Sequence, residues 1–220
     1  MPEKKPTPKQ KGSLSPLKIW LIFYNVGSAA AWAFVLALLV KSLVLTGGDW
    51  TKSFKTCGWE VTVVQTGALV EVSSLVKTPV TTTIMQVSSR ILLVWGVCYP
   101  FNAPEVRENW AFSTMVAAWG ITEVVRYLYY ALNLVGSQPA WLLWCRYNFF
   151  FVLYPVGAGS EWILLLKALT PAYKMDPNLA YVFATIAILY PPGLKNMYTY
   201  MMAQRRKYLK GASTAPKKQE

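Results

Sequence analysis

Apolar residues along this chain come in long blocks, and the polar residues collect in the gaps between them. The first block, Ile19 to Leu45, exceeds the roughly 20 apolar residues that cross a hydrocarbon layer, so it predicts a spanning helix. It is also far longer than a signal-peptide core of about 7–15 residues and carries no persuasive cleavage site. Its polar exit is TGGDWTKSFK, residues 46–55. A second block runs from about Trp59 to Val76 with Glu60 and Glu71 inside it, and a third from about Thr83 to Tyr99. The third gives way to YPFNAPEVREN, where Pro100 and Pro104 forbid a continued helix and the charges mark an aqueous loop. A fourth block, Trp110 to Leu134, holds only Glu123 and Arg126 as charges and stops at the breaker run GSQP. The fifth, Trp141 to Leu169, is followed by the loop TPAYKMDPN. The sixth, Leu179 to Met202, is interrupted by Pro191, Pro192 and Gly193. The pattern predicts an all-α, multi-pass membrane protein with six transmembrane helices in one bundle.

Composition points the same way, with 54% hydrophobic and only 15% charged residues, against about 25% charged in an ordinary soluble domain. The chain contains no histidine, which removes Ser-His-Asp and Cys-His catalysis, a histidine general base and histidine-held metal from consideration. Cys57, Cys98 and Cys145 are odd in number and far apart, so they predict buried free thiols rather than a disulfide framework or a metal pair. No metal site and no cofactor is expected, and no Gly-rich nucleotide motif is present in the sequence.

The formal charge of +12 does not form a nucleic-acid patch, because half of the 22 Lys and Arg residues sit at the two ends. Lys4, Lys5, Lys9, Lys11 and Lys18 lie in the first 18 residues, and Arg205, Arg206, Lys207, Lys210, Lys217 and Lys218 lie beyond residue 203. We therefore expect a disordered basic arm over residues 1–15, a membrane bundle over 16–203 and a basic tail over 204–220. An even number of spans places both ends on one side, and the positive-inside rule makes that side the cytosol. Lys217 and Lys218 stand fourth and third from the end of KKQE, which resembles the dilysine address of endoplasmic-reticulum membrane proteins.

Ionisable groups inside hydrocarbon cost at least about 2.5–3.5 kcal/mol at a helix centre and need a partner or a purpose. Glu123 and Arg126, three apart on one helix, are within reach of each other. Arg146, beside Tyr147 and between aromatic residues, suits snorkelling, headgroup contact or substrate binding. In YPVGAGSE, Tyr154 and Glu161 are seven apart and fall within about 20° on one helix face, two turns and ~10 Å apart. Gly157 and its small neighbours between them allow close helix packing or leave open space. An intramembrane carboxyl beside a phenol suggests acid/base chemistry, with proton abstraction next to a carbonyl and protonation of a leaving group. Glu161 as base and Tyr154 as acid is the preferred assignment, since a phenol near pKa 10 must first be ionised to act as a base. The reverse needs a cation such as Arg126 close to the phenol.

The stretches CYPFNAPEVRENWAFSTMVAAWGITEVVRYLYYALNL, RYNFFFVLYPVGAGSEW and NMYTYMMAQRRK resemble the very-long-chain (3R)-3-hydroxyacyl-CoA dehydratases, also called protein-tyrosine-phosphatase-like A proteins. The resemblance covers about Pro16 to Lys210, and WGITEVVRY and VLYPVGAGSE are its most specific pieces. It implies a six-helix endoplasmic-reticulum lyase that dehydrates 3-hydroxyacyl-CoA in the third step of very-long-chain fatty-acid elongation. It implies catalytic roles for Tyr154 and Glu161, a lipid bilayer around the protein, and the condensing enzyme, ketoacyl-CoA reductase and enoyl-CoA reductase as neighbours. Gly120 departs from the pattern, standing where a serine is expected. The alternative weighed beside this reading is a multi-pass transporter or a catalytically silent membrane scaffold using Glu123, Arg126 and Glu161 as buried charges. The sequence lacks the repeated halves such a transporter would carry.

Overall fold

The computed structural model describes residues 15–69 and 80–214, and every regular element in that range is helical. Glu71, the arm through residue 14 and the Lys217–Lys218 pair lie outside the described residues. Helix α1 spans Pro16–Leu45. Proline suits its first turn, where an N–H would lack a helical partner, and the Ser15 hydroxyl accepts from the Lys18 amide at 3.3 Å. Gly47 and Gly48, at φ of 65° and 92°, turn the chain out of α1 in a conformation that side chains disfavour. Asp49 then caps the next turn by accepting from the Thr51 hydroxyl and amide, bonds that hold its carboxyl below the ordinary carboxylate range.

Helix α2 covers Ser53–Gly67 and α3 covers Val80–Ile91. The chain continues from α3 as a π-helical stretch, Leu92–Cys98. Carbonyls left open at its end are taken by Arg107, whose guanidinium donates to the Cys98 and Tyr99 oxygens. Arg107 ends the short helix α4, Pro104–Arg107, inside the loop that the prolines predict.

Helix α5, Trp110–Leu134, starts at an Asn109 cap and is closed by Gly136, φ 83°, just past its end, where the Ser137 amide reaches back to the Leu132 carbonyl. The fifth apolar block is not one rod. It divides at Phe149 into α6, Ala140–Asn148, and α7, Phe150–Lys167, followed by α8, Leu169–Met175.

The sixth block, by contrast, is continuous: α9 runs from Pro177 to Thr214 straight through Pro191 and Pro192. Proline at 191 leaves the Ala187 carbonyl without its helical donor, and the Trp162 indole N–H of α7 donates to that oxygen at 2.9 Å. The expected interruption is thus repaired by a neighbouring helix. Among the described residues, two helical runs, Pro16–Leu45 and Phe150–Met175, are long and apolar enough by length and composition to cross a membrane.

Helix α5 is the hub. Against α1 it buries Trp32, Val35 and Leu39 with Phe112, Met115 and Trp119. At Gly120 a β-carbon would sit 2.6 Å from the Leu36 side chain, so the absent side chain is what admits Leu36. On its other flank α5 meets α7, where Thr114 and Ser160 hydroxyls pair at 2.7 Å. Those two contacts fix the face of α7 that carries Tyr154 and Glu161.

Candidate active site

Helices α3, α5, α6, α7 and α9 enclose a cavity of about 840 Å³, and both Tyr154 and Glu161 line it. Glu161 is buried and its carboxylate is held from two sides. The Trp119 indole N–H, on α5, donates to Oε1 at 2.7 Å, and the Tyr190 hydroxyl, on α9, donates to Oε2. Tyr154 is half-buried, with its ring stacked near Tyr198 of α9 at 6.1 Å between centroids. Gly157 between them lets α7 close on α5: a β-carbon there would lie 3.2 Å from that of Ala118.

Beside this pair lies a buried charge cluster. Glu123, 2% exposed, accepts from Arg90 of α3 on Oε1, and its Oε2 lies 2.7 Å from Arg126 Nε and 2.6 Å from Nη2. The Arg90 guanidinium also lies over the Trp119 ring, 5.0 Å from its centroid. Trp119 therefore receives a cation on its face and gives its N–H to a carboxylate at its edge, a geometry that suits the ring quadrupole. The formal charges of Arg90, Arg126, Glu123 and Glu161 cancel.

Toward the start of α7 the cavity wall carries Arg146, Tyr147 and Gln204. Arg146 is fixed over the Tyr129 and Tyr130 rings at 4.3 and 5.1 Å. Tyr147 stacks on Tyr208 at 4.1 Å, and Asn148 accepts from Arg205 at 3.1 Å, so the end of α9 is tied to α6. This end of the cavity is cationic and aromatic, and the stretch beyond Tyr154 is lined by Leu93, Leu165 and Ile186.

A family model described as protein tyrosine phosphatase-like protein, PTPLA, matches residues 65–211, more than half of the chain and every side chain of this site. The chain belongs to the PTPLA family. A relative in Schizosaccharomyces pombe, named a probable very-long-chain (3R)-3-hydroxyacyl-CoA dehydratase, is 43% identical over 204 residues, covering 90% of this chain and 96% of its own. A very-long-chain (3R)-3-hydroxyacyl-CoA dehydratase of Arabidopsis thaliana is 36% identical, over 87% and 93% of the two chains. One of Caenorhabditis elegans with the same enzyme name is 33% identical, over 90% and 97%. No solved structure matches.

The seven candidate site residues read from the sequence all reach this PTPLA cavity or its supports. Tyr154, Glu161, Gly157, Arg126, Arg146 and Tyr147 line it, and Glu123 stands behind it as the counter-charge. The Glu123–Arg126 pair is present, but as two sides of a triad. Arg90, Trp119 and Tyr190 are the residues that sequence reasoning missed. Arg90 is the lone basic residue within the third apolar block, and the cost of burying it was a usable signal. Trp119 and Tyr190 carry no such signal, because one of ten tryptophans and one of thirteen tyrosines does not stand out.

The Gly157 contact gives a prediction. Gly157→Val forces a branched side chain against Ala118 and costs about 1–3 kcal/mol by overpacking. It should lower the melting temperature in detergent and displace the Tyr154–Glu161 face, so activity falls further than folded protein does. Unchanged melting would show that α5 and α7 are not packed through this glycine.

Proposed function

We propose that this protein is a hydro-lyase that converts a (3R)-3-hydroxyacyl-CoA to the trans-2-enoyl-CoA and water, the third step of very-long-chain fatty-acid elongation. The observation that carries the reading is that Tyr154 and Glu161 line one cavity whose walls change from cationic and aromatic at Arg146 to apolar at Leu93 and Leu165. Such a substrate has the same two halves: CoA phosphates that need cations and water, and an acyl chain that needs neither. The names of the relatives state this activity for them, and family membership supports carrying it over.

In this mechanism the Glu161 carboxylate removes a proton from C2. The C–H electron pair forms the C2=C3 bond as the C3–O bond breaks, and the Tyr154 hydroxyl gives its proton to the departing oxygen, which leaves as water. Glu161 is then one proton over and Tyr154 one short, and transfer between them restores both. Positioned acid and base groups contribute about 10²–10⁴-fold each. Arg146 and Tyr147 bind the CoA end, and Arg126 holds Glu123 beside the site.

The protein acts in this reading as a six-span protein of the endoplasmic-reticulum membrane, both ends cytosolic, alongside the condensing enzyme and the two reductases of the cycle. The spans are α1, α2, α3 with its π stretch, α5, α7 with α8, and α9. Phe23, Val44 and Ile188 are each more than 70% exposed, which suits lipid-facing helices better than water-facing ones. Exposed Trp20, Trp141 and Trp144 fall near the proposed cytosolic interface, and Trp50 and Trp110 near the lumenal one, as interfacial belts do. Glycosylation acceptors inserted beside Asp49 should be modified and acceptors at either end should not; modified ends would overturn this orientation.

The activity is tested by incubating the purified, folded protein in detergent with (3R)-3-hydroxyacyl-CoA. Appearance of the trans-2-enoyl product supports the proposal. Substrate recovered unchanged from folded protein rejects it.

A further inference from the structure

Among the described residues, none on its own helix hydrogen-bonds to the Glu161 carboxylate. Its two described hydrogen bonds come from elsewhere, Trp119 of α5 on one oxygen and the Tyr190 hydroxyl of α9 on the other. We propose that Trp119 and Tyr190 form a clamp that fixes the plane of the Glu161 carboxylate, making both of them positioning residues for the reaction; this rests on Glu161 being the group that exchanges the substrate proton.

A carboxylate oxygen has two lone pairs and each here accepts one donor, so one lone pair on each oxygen remains for substrate. A carboxyl group at the end of the three rotatable bonds of a glutamate would otherwise turn. Donors on opposite oxygens, arriving from two helices, remove that freedom. Both donors are themselves braced. Trp119 is 2% exposed and carries the Arg90 guanidinium over its face. Tyr190 directly precedes Pro191, and the Ala187 carbonyl that this proline releases is tied to α7 by Trp162, one residue beyond Glu161. The α7–α9 spacing that brings the phenol to the carboxylate is therefore set beside the clamp itself. Misplacement of a reacting group by about 1 Å can cost 10²-fold in rate, so the loss of either donor is felt in kcat rather than in substrate binding.

The test compares wild type, Glu161→Gln, Tyr190→Phe, Trp119→Phe and the Tyr190→Phe/Trp119→Phe double variant in detergent, measuring kcat, KM and melting temperature. Phenylalanine keeps the same ring at Tyr190 and a smaller aromatic ring at Trp119, so a face remains there for Arg90. The expected result is a fall in kcat of about 10–100-fold for each single variant with KM within twofold of wild type. The double variant should fall by less than the product of the two singles, since a carboxylate freed once cannot be freed again. If one single variant does not fold, the other carries the test alone. A folded variant whose kcat stays within twofold of wild type overturns the clamp, as does one whose loss lies in KM, which would mean direct substrate contact. Inactive wild type would instead overturn the underlying dehydratase reading, and an active Glu161→Gln would remove Glu161 from the chemistry and the clamp with it, so those two controls tell the failures apart.

Discussion

Glu161→Gln and Tyr154→Phe should each lower turnover of a 3-hydroxyacyl-CoA by about 10²–10⁴-fold while leaving the folded yield unchanged. Both substitutions are close to isosteric. Glutamine keeps an oxygen that can accept from one of the two donors, Trp119 or Tyr190, and loses the basicity that proton abstraction needs. Phenylalanine keeps the ring that stacks near Tyr198 and loses the hydroxyl proton alone. The loss should therefore appear in kcat, with melting in detergent close to that of wild type. A folded variant at either position with near-normal turnover removes that residue from the chemistry.

Glu123→Gln is expected to have the largest effect on stability. Its carboxylate is 2% exposed and neutralises two guanidinium groups, Arg90 from α3 and Arg126 from its own helix. Removing one partner of a buried ion pair leaves uncompensated charge and costs about 3–5 kcal/mol. Here two cations are left facing each other across a neutral amide, so the loss should reach the upper part of that range. Size-exclusion profiles and melting curves in detergent should show most of the protein misfolded or melting well below wild type. Arg126→Leu should be milder, because the Arg126 side chain is 22% exposed and Arg90 still pairs with Glu123. Equal melting of Glu123→Gln and wild type would mean that the triad is not ionised as a unit.

Most helical blocks were legible in the sequence because apolar runs of about 20 residues are long-range signals that one side chain cannot erase, but the expected loop TPAYKMDPN is helical through Met175 and α2 begins at Ser53, inside the expected polar exit. Thus Trp110–Leu134 matches an observed helix residue for residue. What was not legible depended on neighbours. The break at Phe149 has no proline or glycine to announce it, whereas Pro191 and Pro192 announce a break that the Trp162 indole repairs from another helix. The site divides in the same way. Tyr154, Glu161 and Gly157 share one helix face, so their spacing was enough to join them. Arg90, Trp119 and Tyr190 come from three other segments, and only packing brings them to Glu123 and Glu161.

Running the reaction backward in deuterated water reads the central proton step directly. Wild-type protein given a trans-2-enoyl-CoA should add water and place one deuterium at C2 of the (3R)-3-hydroxyacyl product, with Glu161 as the group that delivers it. Glu161→Gln, folded and at the same concentration, should leave the substrate unlabelled over many wild-type turnovers. Deuterium entering C2 at the wild-type rate in Glu161→Gln would contradict the account.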